Sequence, residues 1–250
     1  MFHRKTDREI AVMRDAGSIL AKVFRYLEKE TIKPGMTTGE IDEVIRDMID
    51  QEECIPAFKG YRGFPGNSCI SIDEEVVHGI PGQRHLETGQ IVAIDIGIRK
   101  DGYFADSAKT FPVGKISEEK RMLIEVTYKS LLAGINAAHA DNRLYDISSA
   151  VQEVAEQAGY GVVRDLVGHG IGKQLHEPPE VPNFGRPHTG PRLQKGMVLA
   201  IEPMINMGGY EVIIKDDQWT VVTADGSPSA HFEHTVAVTD GDPLILTAEV

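Results

Sequence analysis

The sequence predicts an α+β fold, an antiparallel sheet flanked by helices, in one domain of residues 1–250 made of two similar halves, about 1–114 and 115–250. Three observations point there. Two amphipathic helical segments precede strand-like segments, and the same order then recurs. A short phrase is used twice: Gly89-Gln-Ile-Val-Ala-Ile-Asp95 and Gly196-Met-Val-Leu-Ala-Ile-Glu202. Finally, Asp101-Gly102 separates two strand-like runs, a strong two-residue hairpin signal.

The first helix opens with a capping box, Thr6-Asp7-Arg8-Glu9, in which the threonine and the glutamate each satisfy a backbone N–H of the first turn. Ile10, Met13, Gly17, Leu20, Phe24 and Leu27 then recur at helical spacing along one face. Pro34-Gly35 breaks this helix, and Thr37-Thr38-Gly39-Glu40 starts a second one carrying Ile41, Val44, Ile45 and Met48. A glycine-rich loop leads to strands at about 91–98 and 103–112. In the second half, Ser117 caps a helix whose predicted inner face is Ile124, Tyr128, Leu131 and Ile135. After a break at His139–Asn142 comes a helix with Leu144, Ile147, Val151, Val154 and Ala158. His169-Gly-Ile then echoes His78-Gly-Ile. Pro178 to Lys195, 18 residues with five prolines and no periodicity, reads as a functional loop or lid.

Composition narrows the function. With 250 residues, 41% of them hydrophobic, the chain can bury a sizeable core. A net charge of −12 argues against DNA as a partner, because phosphate contacts need basic patches. No stretch approaches the roughly 18 apolar residues that span a bilayer, and the first residues lack the apolar core of a signal peptide. Cys54 and Cys69 form neither a CxxC motif nor a disulfide framework, so a reducing cytoplasm is the expected setting.

The two repeated phrases carry the chemistry. An apolar run rich in Ile and Val reads as a strand buried on both faces, and a carboxylate at its end is costly unless something positive meets it. Around a two-residue turn at Asp101-Gly102, residue 95 faces 108, so Asp95 and Asp106 share a face as diagonal neighbours roughly 7–8 Å apart. Glu202 and Glu233 also sit inside apolar strand patterns. Four carboxylates in one low-dielectric place repel one another and raise their pKa values, whereas two divalent cations balance them. His169, between Gly168 and Gly170, is the candidate nitrogen ligand. One imidazole among carboxylates is an oxygen-rich set suited to manganese, iron or cobalt rather than to a thiolate zinc site.

The ordered set Asp95, Asp106, His169, Glu202 and Glu233, with Val167-Gly-His-Gly-Ile-Gly172 and Ala200-Ile-Glu-Pro-Met204, resembles the metal-ligand pattern of the methionine aminopeptidases among the pita-bread metallopeptidases. The resemblance runs from the first helix to Leu246 and is nearest the short bacterial type I form, since neither a large N-terminal domain nor an inserted helical subdomain is present. It implies the pita-bread (creatinase/aminopeptidase) fold and removal of N-terminal methionine before a small second residue. It also implies two divalent ions (Co, Mn, Fe, Zn or Ni) that activate a shared water as hydroxide. Asp106 and Glu233 would bridge the ions, Asp95 would complete one shell, and His169 and Glu202 the other. Glu202 would also move the water's proton, while His78 and His176 would contact substrate and the tetrahedral intermediate. Tyr61, Phe64, Cys69, Leu175 and Trp219 would line the methionine pocket. Some members of the family carry tyrosine at the position of Phe64 and phenylalanine at that of Leu175. Arg62 falls at the rim. Nascent polypeptides with N-terminal Met are the implied partners, with transient ribosome association, a monomeric state and no membrane. The alternatives are an Xaa-Pro or creatinase-type hydrolase and a non-catalytic binding module on the same fold. Such modules typically lose metal ligands, and all five positions are filled here.

Overall fold

Capping chemistry starts the helices where the sequence places it. In the computed structural model, which describes residues 2–248, Thr6 and Glu9 form the capping box of α1 (Asp7–Tyr26). Thr37 and Glu40 do the same for α2 (Thr38–Gln51). Ser117 accepts from Lys120 N–H at the start of α3 (Glu118–Asn136), and the Asp146 carboxylate accepts from Arg143 N–H at the start of α4 (Leu144–Gln157). Such caps are each worth about 1 kcal/mol.

Among the described residues the principal sheet has nine strands, and its paired strands run antiparallel. Along its central path lie Ile91–Lys100, Tyr103–Pro112, Glu233–Ala237, Val198–Ile201 and Gly168–Gly170, in that order. The first two form the expected hairpin, with Lys100 opposite Tyr103 and Asp95 opposite Ala108. The structure thus has the mixed helix and antiparallel-sheet architecture that the pattern predicts.

Strand alternation separates the two faces of this sheet. Val92, Ile94, Ile96 and Ile98 point to the helical side and pack with Leu20, Phe24, Ile41 and Ile45 of α1 and α2. Leu199, Ile201 and Val236 pack with Leu131, Ile135, Leu144 and Ile147 of α3 and α4. Each such fully buried side chain contributes about 1.5–3 kcal/mol. The opposite face of the same strands is left to carry the acids.

Two expectations are corrected. The inner face of α3 is rotated from the apolar stripe: Tyr128 is 42% exposed, whereas Thr127, Ser130 and Gly134 are buried. Close packing on α4 is the reason, since a Cβ on Gly134 would lie 2.7 Å from Val151 Cγ2. Small residues permit that approach, and the Thr127 and Ser130 hydroxyls satisfy themselves on the carbonyls of Leu123 and Thr127. The Pro178–Lys195 stretch is not a lid. Glu177–Val181 is a strand paired with Gly168–Gly170, Val181, Asn183 and Leu193 are buried, and Asn183 Nδ2 donates to the Glu202 carbonyl. Prolines hide this strand from a periodicity reading because each lacks an N–H for the ladder.

Candidate active site

Register gathers the acids. Ala108 is paired on one side with Asp95 and on the other with Glu233, so all three share a face. Asp106 lies two residues along the same strand and therefore shares that face. Ala200 is paired with both Thr235 and His169, which brings His169 to the row two residues from Glu233. Glu202 follows the end of the Val198–Ile201 strand, two residues beyond Ala200. Thr235 fastens the centre, donating from its hydroxyl to Asp106 O and accepting from Asp106 N–H. Gly168 lets the strands close up: a Cβ there would overlap the Ala200 carbonyl oxygen.

One oxygen each of Asp106 and Glu233 and a ring nitrogen of His169 lie within 4.8 Å of one another. His169 Nε2 is 3.6 Å from Glu202 Oε1 and 4.0 Å from Asp106 Oδ2. His169 Nδ1 lies 2.9 Å from the Gly170 carbonyl, an acceptor only, so the ring proton sits on Nδ1 and the Nε2 lone pair faces the acids. Burial, then the neighbouring His176, lowers the His169 pKa to about 3, which keeps the ring neutral. Asp95, Glu202 and Glu233 are held well above the usual carboxylate range, burial being the largest cause in each and the charge of Asp106 the next. Asp106 is pushed up to about 7 by burial, against hydrogen bonds involving Asp95 and Ser107.

The donor set fits a metal. Asp95 Oδ1, Asp106 Oδ1 and Glu233 Oε1 are buried without a hydrogen-bond partner. Buried anionic oxygens are costly when unpaired, and a divalent cation is the group that relieves several at once. Oxygen donors with one neutral imidazole form a hard ligand set.

A cavity of about 160 Å³ opens onto this cluster. Its lining brings together the four acids and His169 with Tyr61, Phe64, Cys69, His78, Leu175, His176 and Trp219, so each site residue singled out in the sequence stands in one place. Phe64 meets Trp219 edge to face at 5.1 Å between centroids, and His78 stands edge-on to Trp219 at 6.5 Å. His78 adopts a positive φ of 59°, and Gly79 behind it touches the Ile70 carbonyl so closely that no Cβ fits. Burial lowers the pKa of His78 and is the main cause lowering His176 to about 4. The cavity is smaller than the roughly 300–1,000 Å³ of typical ligand pockets and suits one apolar side chain.

Two residues were not anticipated. Phe58 lines the pocket and lies against Gly97, where a Cβ would come within 2.6 Å of its ring. The available signal was Gly97 itself, a glycine inside a β-branched strand, which marks close approach by another group. His231 is the other: buried, with Nε2 3.8 Å from Glu202 Oε2 and no hydrogen-bond partner on that atom. Its place beside Glu202 depends on the Met204–Asn206 and Ser229–His231 pairing, which local pattern does not reveal.

Sheet, acid cluster and pocket together define a metal-dependent peptidase. A profile of metallopeptidase family M24 matches residues 11–240. The chain belongs to this family, as a bacterial type I methionine aminopeptidase of the pita-bread fold. It is 53% identical over 243 residues to a methionine aminopeptidase of Clostridium perfringens, covering 97% of each chain. With methionine aminopeptidase 1 of Bacillus subtilis the identity is 51%, over 97% of this chain and 98% of the relative. The crystal structure of methionine aminopeptidase from Thermotoga maritima superposes with a TM-score of 0.97 at 42% identity, covering 100% of both chains. A prolidase from Pyrococcus furiosus shares the fold at a TM-score of 0.80 and 24% identity, and 66% of its length is covered.

Proposed function

We propose that this enzyme removes the N-terminal methionine from nascent proteins and peptides whose second residue is small. The observation that carries the reading is the placement of four carboxylates, Asp106 and Glu233 buried and Asp95 and Glu202 half-buried, with one neutral histidine at the end of a pocket sized for a single side chain. The methionine side chain enters between Tyr61, Phe64, Cys69, Leu175 and Trp219, where a thioether gains favourable contacts with aromatic rings. Two divalent ions would be held here, Asp106 and Glu233 serving both, Asp95 contributing to one and His169 with Glu202 to the other. When bound, such ions supply Lewis acidity toward the scissile carbonyl and lower the pKa of water.

The protein's own groups do the rest. Glu202 accepts the proton of the attacking water on a carboxylate oxygen and passes it to the leaving amine. His176 and His78 hydrogen-bond the substrate carbonyl as negative charge grows on its oxygen. Crowding against the acid cluster excludes a large second side chain. In this reading the enzyme acts as a monomer in the cytoplasm, meeting chains as they leave the ribosome. No described helix is long and apolar enough to cross a membrane.

The test is metal-depleted enzyme reconstituted with single ions and assayed on Met-Ala-Ser against Met-Phe-Ser. Cleavage restored by metal and confined to Met-Ala-Ser is expected; metal-independent cleavage or equal rates would overturn the reading. Glu202→Gln should lower kcat by at least about 100-fold while the fold stays intact by circular dichroism. A folded variant with near-normal turnover refutes the role of Glu202.

A further inference from the structure

Tyr61 lines the pocket, yet its hydroxyl is turned to a histidine. Tyr61 Oη lies 2.8 Å from His176 Nδ1, with ring centroids 5.2 Å apart. The His176 ring also meets His169, at 4.2 Å between centroids. The imidazole therefore touches two rings and is hydrogen-bonded at Nδ1.

Tyr61 is itself firmly placed. It opens a tight turn, Tyr61–Gly63, in which Tyr61 N–H donates to Phe58 O, Phe64 N–H to Tyr61 O, and Gly60 N–H to Phe64 O. Gly60 at φ 79° and Gly63 at φ 91° supply the left-handed backbone that this turn requires. The turn fixes the Tyr61 backbone, and from there the hydroxyl reaches His176 Nδ1.

We infer that Tyr61 is a positioning residue: by donating its phenolic proton to His176 Nδ1, it fixes the tautomer that carries its proton on Nε2 and presents that proton to the substrate carbonyl. The inference rests on the role proposed for His176 and deepens it. A neutral imidazole has one donor and one acceptor nitrogen. A phenol is the better donor of the pair and an imidazole nitrogen the better acceptor, so the shared proton belongs to oxygen. Nε2 is then the N–H. The opposite tautomer would offer a lone pair to a carbonyl oxygen that is gaining negative charge, and would repel it. No bond to substrate is made by Tyr61 Oη in this role. Its effect reaches the reaction only through His176.

Tyr61→Phe keeps the ring as pocket wall and removes only the hydroxyl. In enzyme reconstituted with Mn(II), we expect kcat on Met-Ala-Ser to fall about five- to tenfold, with KM within about twofold and the melting temperature unchanged. An independent readout needs neither metal nor turnover. In ¹⁵N-histidine NMR of the metal-free protein, the His176 ring, assigned by its loss in His176→Ala, should show protonated Nε2 in the wild type and a mixture of tautomers in Tyr61→Phe. In the His176→Ala background, Tyr61→Phe should have no further effect on kcat. A raised KM with unchanged kcat would mean that Tyr61 is only a wall, and would overturn the inference. So would an unchanged His176 tautomer. Wild-type kcat in His176→Ala would overturn the role of His176, and this inference with it. Loss of activity in His176→Ala beside an unaltered Tyr61→Phe enzyme overturns this inference alone.

Discussion

Asp106→Asn removes one negative charge from the acid cluster with little change in shape, and in metal-free protein it should stabilise the fold increasingly as pH rises. Asp106 is 4% exposed, and burial raises its pKa from an ordinary 3.8 to about 7. A carboxyl raised in the fold contributes stability below pH 3.8 that is lost as pH climbs through 7, because the unfolded chain ionises first. Wild-type protein therefore gives up about 1 kcal/mol through this group by pH 4.5 and about 4 kcal/mol by pH 8. An asparagine does not titrate, so the variant escapes this loss. For a domain of this size each kcal/mol moves the melting temperature by about 2–4 °C. The gap between chelated variant and chelated wild type should then be about 6–12 °C wider at pH 8 than at pH 4.5. Differential scanning calorimetry at the two pH values, with and without Mn(II), reads the difference. Added metal should reverse the order, stabilising wild type and leaving the variant nearly unchanged. A gap independent of pH, or a chelated variant less stable than wild type at pH 8, would refute the claim that unneutralised burial strains this site.

Two further substitutions probe how the fold holds the site. Gly168→Ala places a Cβ against the Ala200 carbonyl and 3.3 Å from Glu202 Cγ, so it should cost about 2 kcal/mol or more in urea denaturation and depress kcat. A loss below about 0.5 kcal/mol would show that the strands can separate freely. Asp42 accepts from the backbone N–H groups of Asn67 and Ser68 and from both of their side chains, bracing the segment between Phe64 and Cys69. Asp42→Ala leaves these buried donors unmet; we expect a loss of about 3 kcal/mol and a raised KM for methionyl peptides, with kcat less affected. Unchanged KM in a folded Asp42→Ala enzyme would separate this brace from the pocket.

Local chemistry made much of this protein legible from its residues. Thr6–Glu9 and Thr37–Glu40 are capping boxes because side chain and backbone satisfy each other within four residues. Asp101-Gly102 set the hairpin register, with Asp101 at φ 48° and Gly102 at φ 84°, and that register alone puts Asp95 and Asp106 on one face. The motif around His169 and the two strand-end acids identified the family, since no ordinary core buries so many carboxylates in apolar strands. Other features depend on segments far apart in the chain. That Glu233 and Glu202 lie beside the hairpin follows from Glu233–Ala237 inserting between Tyr103–Pro112, more than one hundred residues away in the chain, and Val198–Ile201. The face of α3 turned inward was chosen by how closely α4 can approach Gly134, not by the apolar stripe. Phe58 over Gly97, His231 beside Glu202 and the Tyr61–His176 hydrogen bond likewise join segments that no local pattern relates. Sequence determines what a neighbour four residues away can satisfy; contacts between distant segments, and hence the geometry in which the acids meet their histidines, are decided only when the sheet is assembled.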